Sequence, residues 1–350
     1  MRILARPAFK DRHKNPYTWL LYSHIKDLGT DVEQDSPLRL LQNNYAIWHL
    51  HWPENGLNKE NKVNAFARTQ ALLLQIDWAR RRNVKIVWTV HNLGAHEQLH
   101  PKLEAWFWNA FIQRLDGYIA LSKVAMETAQ ERFFGLKNLP GFVIPHGHYR
   151  GEYPDHMTSQ EARASLGIPP LSKVLLFCGQ IRPYKNLLQL IHAFRQLPDL
   201  EGVLYIAGRP HPPAFIELLE TEAALDPRVQ LHPSFIPKDK VQVYLRAADL
   251  VILPYREILN SGSALLALSF DRPILVPRKG SLSELQAQVG EEWVRTYDGE
   301  ITPLQIEEAL EWALSTSRPK QAPLEAFGWK ELSQRTIDVY KTVMTKSGRQ

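Results

Sequence analysis

The sequence contains a single cysteine, Cys178, among its 350 residues. One thiol excludes an intramolecular disulfide and a metal site built from several cysteines, and it fits a reducing compartment. The sequence also has no run of 18 consecutive apolar residues, so a membrane-spanning helix is not predicted. Met1 leads directly into a strand-like segment, without the charged and then apolar pattern of a signal segment. Together these absences predict a cytoplasmic protein.

Charge is distributed unevenly along the chain. Residues 1–150 carry 20 Lys and Arg against 13 Asp and Glu, whereas residues 151–350 carry 22 against 24. The basic first half predicts an anionic neighbour, either a membrane surface or a phosphorylated substrate, and a solvated surface without a partner is the alternative. There is no zinc-ligand spacing, RNP-like motif or long basic run, so no nucleic-acid partner is predicted.

Short apolar runs alternate with segments of helical spacing in both halves of the chain. This pattern predicts an α/β protein with two doubly wound, Rossmann-like parallel sheets. We expect a first domain over 1–150, a Gly- and Pro-rich linker over 151–170, and a second domain over 171–328. The last segment, 329–350, is predicted to be a helix that packs back on the first domain. The carboxyl ends of both sheets are expected to face a central cleft.

The segment Lys173–Asn186, KVLLFCGQIRPYKN, is the most informative stretch of the second half. An apolar run predicts a buried strand that ends at Gly179, and helical spacing resumes at Leu187. Arg182 and Lys185 lie between the strand and the helix. Backbone N–H groups and two cations at such a turn suit a diphosphate, whereas an ordinary loop with solvated charges is the alternative.

The second half resembles the nucleotide-sugar-binding domain of GT-B glycosyltransferases of family 4, also called group 1. Four blocks in the same order carry the resemblance: FCGQIRPYKN (177–186), VLYIAG (203–208), VQLHPSFIPKDKVQVYLRAADLVILPY (229–255) and NSGSALLALSFDRPILVP (260–277). The first half resembles the family only in outline.

The resemblance implies specific roles for residues in these blocks. Arg182 and Lys185 would hold the donor diphosphate, beside Gly179. The start of a helix would receive the phosphates and ribose through Asn260, Ser261, Gly262 and Ser263. The residues expected around the base, the ribose and the sugar are Pro233, Phe235, Ile236 and Glu257.

One position departs from the family pattern. The family usually has a Glu-x7-Glu pair, and here Leu266 occupies the second position, where it cannot hydrogen-bond a ribose. The first position falls on Ile258, with Glu257 adjacent. Hydroxyl groups of Ser261 and Ser263 could replace the missing contact. The departure shifts the expected stereochemistry only slightly from retention, and inversion remains open.

The first half offers candidate catalytic residues after two predicted strands. His91, in TVHN, follows one strand, and the resemblance implies that it lies beside the transferred sugar or the acceptor. His51 and Glu54, in WHLHWPEN, follow another and are further candidates for a general base. Asn92 and Asn15 are predicted to lie on the acceptor side. Lys10, Arg12 and Lys14 are basic neighbours of Asn15 that could contact phosphate.

The segment KLEAWFWNAFIQR (102–114) combines aromatic residues with cations. Such a helix suits a bilayer interface or a lipid-linked acceptor, and a helix buried on most sides gives the same pattern. The chain contains no Asp-x-Asp, the motif that holds a metal-bridged diphosphate in the other main glycosyltransferase fold. We therefore expect neither a metal nor another cofactor.

These features lead to the expectation of a hexosyltransferase. It would use a nucleoside-diphosphate sugar, and its acceptor would be a saccharide or a lipid-linked saccharide in cell-surface polysaccharide or glycolipid assembly. It would act in the cytoplasm or at the inner face of the plasma membrane. An epimerase or phosphorylase of the same fold, and a sugar-nucleotide-binding regulator without catalysis, are the alternatives.

Overall fold

A computed structural model describes residues 1–10, 12–13, 15–42, 44–95, 97–197 and 200–345. Lys14, one of the predicted basic neighbours of Asn15, lies outside these residues. The chain divides into two units: Met1–Gly147 together with the chain from Phe327 onward, and His148–Ala326.

The first unit is built on a six-stranded parallel sheet. Its strands are β1 (Arg2–Arg6), β2 (Asp31–Gln34), β3 (Ile47–His51), β4 (Lys85–Val90), β5 (Gly117–Ala120) and β6 (Gly141–Val143). Their order is β2-β1-β3-β4-β5-β6. All residues of β3 and β5 are buried, as expected for parallel strands covered on both faces.

The second unit has its own six-stranded parallel sheet. Its strands are β7 (Lys173–Cys178), β8 (Gly202–Ala207), β9 (Val229–His232), β10 (Leu250–Ile252), β11 (Ile274–Pro277) and β12 (Val294–Tyr297). The order β12-β11-β10-β7-β8-β9 reverses direction between β7 and β10. Ligands of doubly wound folds bind at the carboxyl end of the strands at such a reversal. The loop after β7 therefore lies at the position where a ligand is expected.

Helices connect the strands of both units. In chain order they are α1 (Tyr17–Asp27), α2 (Pro37–Gln42), α3 (Lys62–Arg81), α4 (Pro101–Ile112), α5 (Lys123–Arg132), α6 (Ser159–Ser165), α7 (Leu187–Arg195), α8 (Phe215–Ala223), α9 (Val241–Ala247), α10 (Gly262–Ser269), α11 (Ser281–Val289), α12 (Pro303–Ser315) and α13 (Trp329–Thr345). The predicted α/β class with two doubly wound sheets is confirmed.

Four elements are not predicted from the sequence: the strands β2 and β12 and the helices α2 and α11. Both strands lie at an edge of their sheet. The sequence of β2 is DVEQ and that of β12 is VRTY, so neither shows the apolar run of a central strand. An edge strand is covered less completely, and its composition is correspondingly less distinctive.

The structure differs from the expected linker. Segment 151–170 belongs to the second unit, and it contains α6, which packs against α9. The guanidinium of Arg163 in α6 donates to Asp249 at 2.7 Å, and the same carboxylate accepts from the backbone N–H of Val174 at 2.8 Å. This ion pair ties α6 to the start of β7. The polar composition of segment 151–170 is therefore that of a surface helix and its flanking loops, and not that of a linker.

The last helix, α13, packs against α1 of the first unit. The Ser333 hydroxyl donates to the carbonyl of Leu21 at 3.3 Å, and the side chains of Leu332, Ile337 and Tyr340 are buried. Thus, residues at the far end of the chain complete the core of the unit that begins it.

Two glycines allow the ends of β7 and β8 to approach each other. Gly208 has φ +149°, and a Cβ atom on it would lie 1.8 Å from the carbonyl oxygen of Gly179. Gly179 has φ +150°, another backbone conformation that L side chains rarely adopt. Any side chain at Gly208 would therefore displace the turn at Gly179.

We expect Gly208→Ala to destabilise the second unit by about 3 kcal/mol or more, because backbone must move to make room for the methyl group. Gly151→Ala is the matched control, since Gly151 also has positive φ but nothing lies within 4 Å of its Cβ position. That control should cost only about 1–2 kcal/mol for the unfavourable backbone conformation. Urea unfolding of both variants measures the difference. Equal losses would contradict the steric explanation.

Candidate functional site

The turn after β7 brings Lys185 and Gly179 together. A short 3-10 helix, Pro183–Lys185, precedes α7 and turns the lysine side chain back toward the end of the strand. A Cβ atom on Gly179 would lie 3.5 Å from the Nζ atom of Lys185 and 2.8 Å from the hydroxyl oxygen of Ser263. Gly179, Lys185 and Ser263 therefore surround one small region at the carboxyl end of β7.

Lys185 is an unusual buried cation. Lys185 is 7% exposed. Its ammonium lies 5.1 Å from the ring centroid of Tyr255 and 5.4 Å from that of Phe177. Within the described ranges, no carboxylate lies within 4 Å of this ammonium. Burial lowers the pKa of Lys185, and the nearby charge of Arg182 lowers it further. An anion at this place would relieve both effects.

The start of α10 lies beside the same region. Ser261 caps the helix, because its hydroxyl accepts from the backbone N–H of Ala264 at 3.2 Å. The hydroxyls of Ser261 and Tyr255 are 3.5 Å apart. Gly262 and Ser263 form the first turn, whose backbone N–H groups carry the positive end of the helix dipole. Asn260 immediately precedes the cap.

Arg182 and Asn186 flank the lysine. The Nε of Arg182 donates to the side-chain oxygen of Gln180 at 3.1 Å, and Arg182 is partly exposed. Asn186 has φ +60°, and its amide donates to Glu300 at 2.8 Å. Asparagine tolerates this left-handed conformation better than most residues, so it suits the junction between the 3-10 helix and α7.

The residues expected around the base follow β9, two strands from β7 in the sheet. Phe235 is 50% exposed, and Pro233 and Ile236 are partly exposed. An exposed phenyl ring offers a surface on which a base could stack. These residues and Lys185 lie after strands of one parallel sheet, at its carboxyl edge.

Glu257 and Leu266 differ in their environments. Glu257 lies on the exposed loop before α10, whereas Leu266 lies within the helix and is partly exposed. Leu266 offers no hydrogen-bonding atom, so the second glutamate of the family pattern has no equivalent side chain at this position.

In the first unit, β3 and β4 bring three histidines into one hydrogen-bonded group. The Nδ1 atom of His51 lies 2.8 Å from the Nε2 atom of His91, and the Nε2 atom of His51 lies 2.6 Å from the Tyr22 hydroxyl. That hydroxyl is also 2.8 Å from Nδ1 of His49, which lies 2.7 Å from the Tyr340 hydroxyl. His51 is 1% exposed, whereas His91 is partly exposed.

Burial keeps these imidazoles neutral. It lowers the pKa of His49 to about 3 and holds the pKa values of His51 and His91 well below the usual range. Neighbouring histidines lower the last two further. A neutral histidine can accept a proton, and in this group His91 is the member that reaches the surface.

Glu54 is 2% exposed, and its carboxyl accepts a hydrogen bond from the Asn92 amide at 2.8 Å. Burial raises the pKa of Glu54 to about 7, and the charge of Glu104 contributes. Glu104 itself accepts from the backbone N–H of Ala95 at 2.7 Å. Glu54 and Glu104 thus hold two points of the loop that follows His91, and Glu54 lies beneath the surface that a substrate could reach.

Sequence reasoning missed several neighbours of His91. Trp52 stacks on its ring at a centroid distance of 4.2 Å and an angle of 23°, and Tyr17 meets it edge-on at 5.0 Å. Trp52 has φ +48°, a strained conformation for a bulky residue and one that often marks functional sites. The sequence WHLHWPEN contains a signal for the unusual backbone of Trp52, because this bulky residue lies between the end of a predicted strand and Pro53.

Asn15 has a local role in the structure. Its side-chain oxygen accepts from the backbone N–H of Tyr17 at 3.1 Å, so it supports the start of α1. The aromatic helix α4 is largely a core element, because Phe107, Trp108 and Phe111 are buried. Only Trp106 among its four aromatic side chains is exposed, at 41%.

Within the part of the chain that the structure describes, no helix has the length and apolar character to cross a membrane. Over the same residues, His, Cys, Asp and Glu side chains do not form a group of three or more that could hold a metal ion.

Solved structures share this architecture. Sucrose-phosphate synthase from Thermosynechococcus elongatus aligns over 99% of this chain and 100% of its own, with a TM-score of 0.72 and 17% identity. Anabaena HepE in complex with UDP-glucose aligns over 98% of both chains, with a TM-score of 0.66 and 13% identity. The fold is therefore that of GT-B glycosyltransferases.

Sequence comparison extends the similarity. Residues 172–311 match the family described as "Glycosyl transferases group 1". The chain is 29% identical over 336 residues to GDP-mannose:glycolipid 4-beta-D-mannosyltransferase of Xanthomonas campestris pv. campestris. This alignment covers 95% of this chain and 90% of that protein. The predicted resemblance to group 1 glycosyltransferases is confirmed over residues 172–311, and the chain shares the GT-B fold.

The raised pKa of Glu54 predicts how stability depends on pH. The folded protein keeps Glu54 protonated to about pH 7, whereas the unfolded chain loses this proton near the ordinary value of 4.5. Stability is therefore lost as pH rises between these values, by about 3 kcal/mol in all. Glu54→Gln should remove this loss. Between pH 5 and pH 8, the change in the free energy of unfolding, measured with urea, should favour stability by up to about 3 kcal/mol more in the variant than in the parent.

Glu60→Gln serves as the control, because Glu60 is exposed. The buried histidines titrate in parent and variants alike, so the difference between them isolates Glu54. A parent and a Glu54→Gln variant with the same pH dependence would show that Glu54 is not protonated in the folded protein.

Proposed function

We propose that this protein transfers a hexose from a nucleoside-diphosphate sugar to an acceptor hydroxyl of a lipid-linked saccharide. The observation that carries the proposal is the buried ammonium of Lys185. It lies beside Gly179 and the start of α10, and no carboxylate of the described chain neutralises it. A donor diphosphate supplies the missing negative charge.

Departure of the nucleoside diphosphate is the step that these groups assist. The bond between the anomeric carbon and the diphosphate oxygen breaks, and negative charge grows on that oxygen. Lys185, Arg182 and the first N–H groups of α10 stabilise this charge from fixed positions. Because these cations and dipoles carry the charge, the proposal includes no metal ion, and activity should persist with a chelator present.

His91 is the proposed proton acceptor in the first unit. The relative from Xanthomonas is named for a β-linked mannosyl product. A β product formed from an α-linked donor requires inversion at the anomeric carbon, and inversion requires a base for the acceptor hydroxyl. We therefore favour inversion here, with His91 as the base. The buried His51 and Glu54 support His91 and its loop instead of contacting substrate.

The same relative suggests the donor and the acceptor. Its name specifies GDP-mannose and a glycolipid. We propose a GDP-activated hexose as the first donor to test. Phe235, Pro233 and Ile236 would form the surface for the base, and Asn260, Ser261 and Glu257 would contact the ribose or the sugar.

Lys185→Met separates binding from folding, because methionine preserves much of the side-chain volume and removes the charge. We expect the variant to bind GDP-mannose about 10- to 100-fold more weakly, as charge-assisted hydrogen bonds are lost. Its melting temperature without ligand should stay equal or rise, since an unpaired buried charge is removed. Calorimetric titration and thermal unfolding measure both quantities.

Lys173→Met is the matched control, because Lys173 lies at the opposite end of β7. It should bind donor as the parent does. If none of GDP-mannose, UDP-glucose and ADP-glucose raises the melting temperature of the parent, the proposed function is wrong. Release of an epimerised sugar without any acceptor would instead indicate an epimerase.

A membrane location at the inner face of the plasma membrane is part of the proposal. Val63 and Phe66 on α3 and Trp106 on α4 are exposed at 73%, 48% and 41%, and the rings of Phe66 and Trp106 lie 5.7 Å apart. Exposed lysines lie one helical turn before each ring, Lys62 before Phe66 on α3 and Lys102 before Trp106 on α4, and Lys59 is exposed shortly before α3. Aromatic rings among cations suit an anionic bilayer surface.

We expect the parent to float with vesicles of anionic phosphatidylglycerol at low salt. A Phe66→Ser and Trp106→Ser double variant should bind them about tenfold or more weakly, because two apolar side chains no longer enter the interface. Leu218→Ser, at a 47% exposed position of α8 in the other unit, is the control. Absence of parent binding at low salt would exclude this surface.

A further inference from the structure

Tyr255 contacts both parts of the proposed anion site in the second unit. It follows β10, and its ring centroid lies 5.1 Å from Nζ of Lys185. Its hydroxyl oxygen lies 3.5 Å from that of Ser261, the residue that caps α10. Tyr255 and Lys185 are both buried. One side chain therefore links the cation to the start of the helix.

Backbone hydrogen bonds fix the position of this ring. The N–H of Tyr255 donates to the carbonyl of Leu253 at 2.9 Å. The next N–H, that of Arg256, donates to the carbonyl of Tyr184 at 2.9 Å. Tyr184 belongs to the 3-10 helix Pro183–Lys185, which carries the lysine. The loop after β10 is thus tied to the turn after β7, and the ring does not depend on the ammonium for its place.

An aromatic ring holds an ammonium differently from a carboxylate. The ring attracts the cation through its quadrupole, but it carries no net charge. A carboxylate would pair with the ammonium and repel an incoming diphosphate. In the described parts of the chain, no carboxylate lies within 4 Å of the Lys185 ammonium, and Phe177 supplies a second ring at 5.4 Å. The charge of Lys185 thus stays available to a ligand.

Four titratable groups face the ammonium. They are Arg182 and Tyr184 of the turn, Cys178 at the end of β7, and Tyr255. Burial raises the pKa of Cys178 to about 12 and that of Tyr255 to about 12, so both are neutral near pH 7. Neither of these buried groups therefore forms an ion pair with Lys185 at that pH.

We propose that Tyr255 is a positioning residue, whose ring holds the Lys185 ammonium at the carboxyl end of β7 and leaves its charge available to the donor diphosphate. The face of the ring carries this effect, and the hydroxyl beside Ser261 is secondary. Without the ring, the ammonium loses a fixed neighbour, and the charge that develops on the leaving diphosphate is stabilised less. This inference rests on the proposed function, which supplies the diphosphate.

A double-mutant cycle of Tyr255→Leu with Lys185→Met tests this coupling through GDP-mannose binding, measured by calorimetric titration. Tyr255→Phe keeps the ring and removes the hydroxyl, so it separates the two parts of the side chain. Tyr297→Leu is the matched control, because Tyr297 is a buried tyrosine on β12, three strands from β7 in the sheet. Thermal unfolding reports the folding of each variant, and Tyr255→Met is a second variant without a ring.

We expect Tyr255→Leu to weaken GDP-mannose binding about five- to tenfold in the parent background. In the Lys185→Met background the same change should weaken it less than about twofold, because no ammonium remains to be positioned. Tyr255→Met should behave as Tyr255→Leu does. Tyr255→Phe and Tyr297→Leu should each stay within about twofold of the parent.

NMR of the full-length chain without donor provides a readout that does not depend on activity. The protons on Cε of Lys185, next to the ammonium over the ring, should appear upfield of ordinary lysine signals because of the ring current. Their loss in Lys185→Met assigns them. They should move toward ordinary values in Tyr255→Leu and keep their position in Tyr255→Phe and Tyr297→Leu.

Three results would overturn the inference: ordinary Lys185 signals in the parent, equal loss of binding by Tyr255→Leu in both backgrounds, or equal loss of binding by Tyr255→Phe and Tyr255→Leu. Failure of the proposed function is distinguishable from each of them. In that case GDP-mannose does not bind the parent, whereas the Lys185 signals still report whether Tyr255 positions the ammonium.

Discussion

A cation that is buried without a carboxylate partner among the described residues imposes the main constraint on the second unit. The Lys185 ammonium lies between the rings of Tyr255 and Phe177, and its burial disfavours the charged form. Proteins rarely bury an ammonium group unless an anion pairs with it. The turn at Gly179 and the capped start of α10 lie beside this ammonium, and the helix dipole adds positive potential there. An ammonium and a helix N-terminus therefore meet at the carboxyl end of β7.

The first unit meets a different requirement. Its histidines are neutral because they are buried, and hydrogen bonds with tyrosine hydroxyls orient them. A neutral imidazole at the surface can accept a proton, whereas an imidazolium could not. Trp52 holds a strained backbone conformation while it stacks on His91, and Glu54 restrains the loop that follows. A strained backbone at a residue that stacks on one ring is typical of a functional site.

Much of the architecture could be predicted from the sequence. Central strands such as β7 are apolar on both faces, and the glycine and cations that follow it are visible as a motif. Edge strands β2 and β12 were missed because they are polar on one side. The linker expected over 151–170 was wrong for a related reason, since a short surface helix and a linker have similar composition. Leu266 lies within α10, the helix that the sequence predicts after Asn260.

The order of residues along the chain was sufficient to predict two parallel sheets and to place Gly179, Arg182, Lys185 and His91 after strands, because strand ends in such sheets share one edge. It could not show which candidates are buried. His51 and Glu54 looked like surface bases, and Tyr22 had no visible role. Those properties depend on contacts between residues far apart in sequence: Tyr22 meets His51, and His49 meets Tyr340 across 291 positions. Burial, proton sharing and pKa follow from such contacts, so only the tertiary structure decides them.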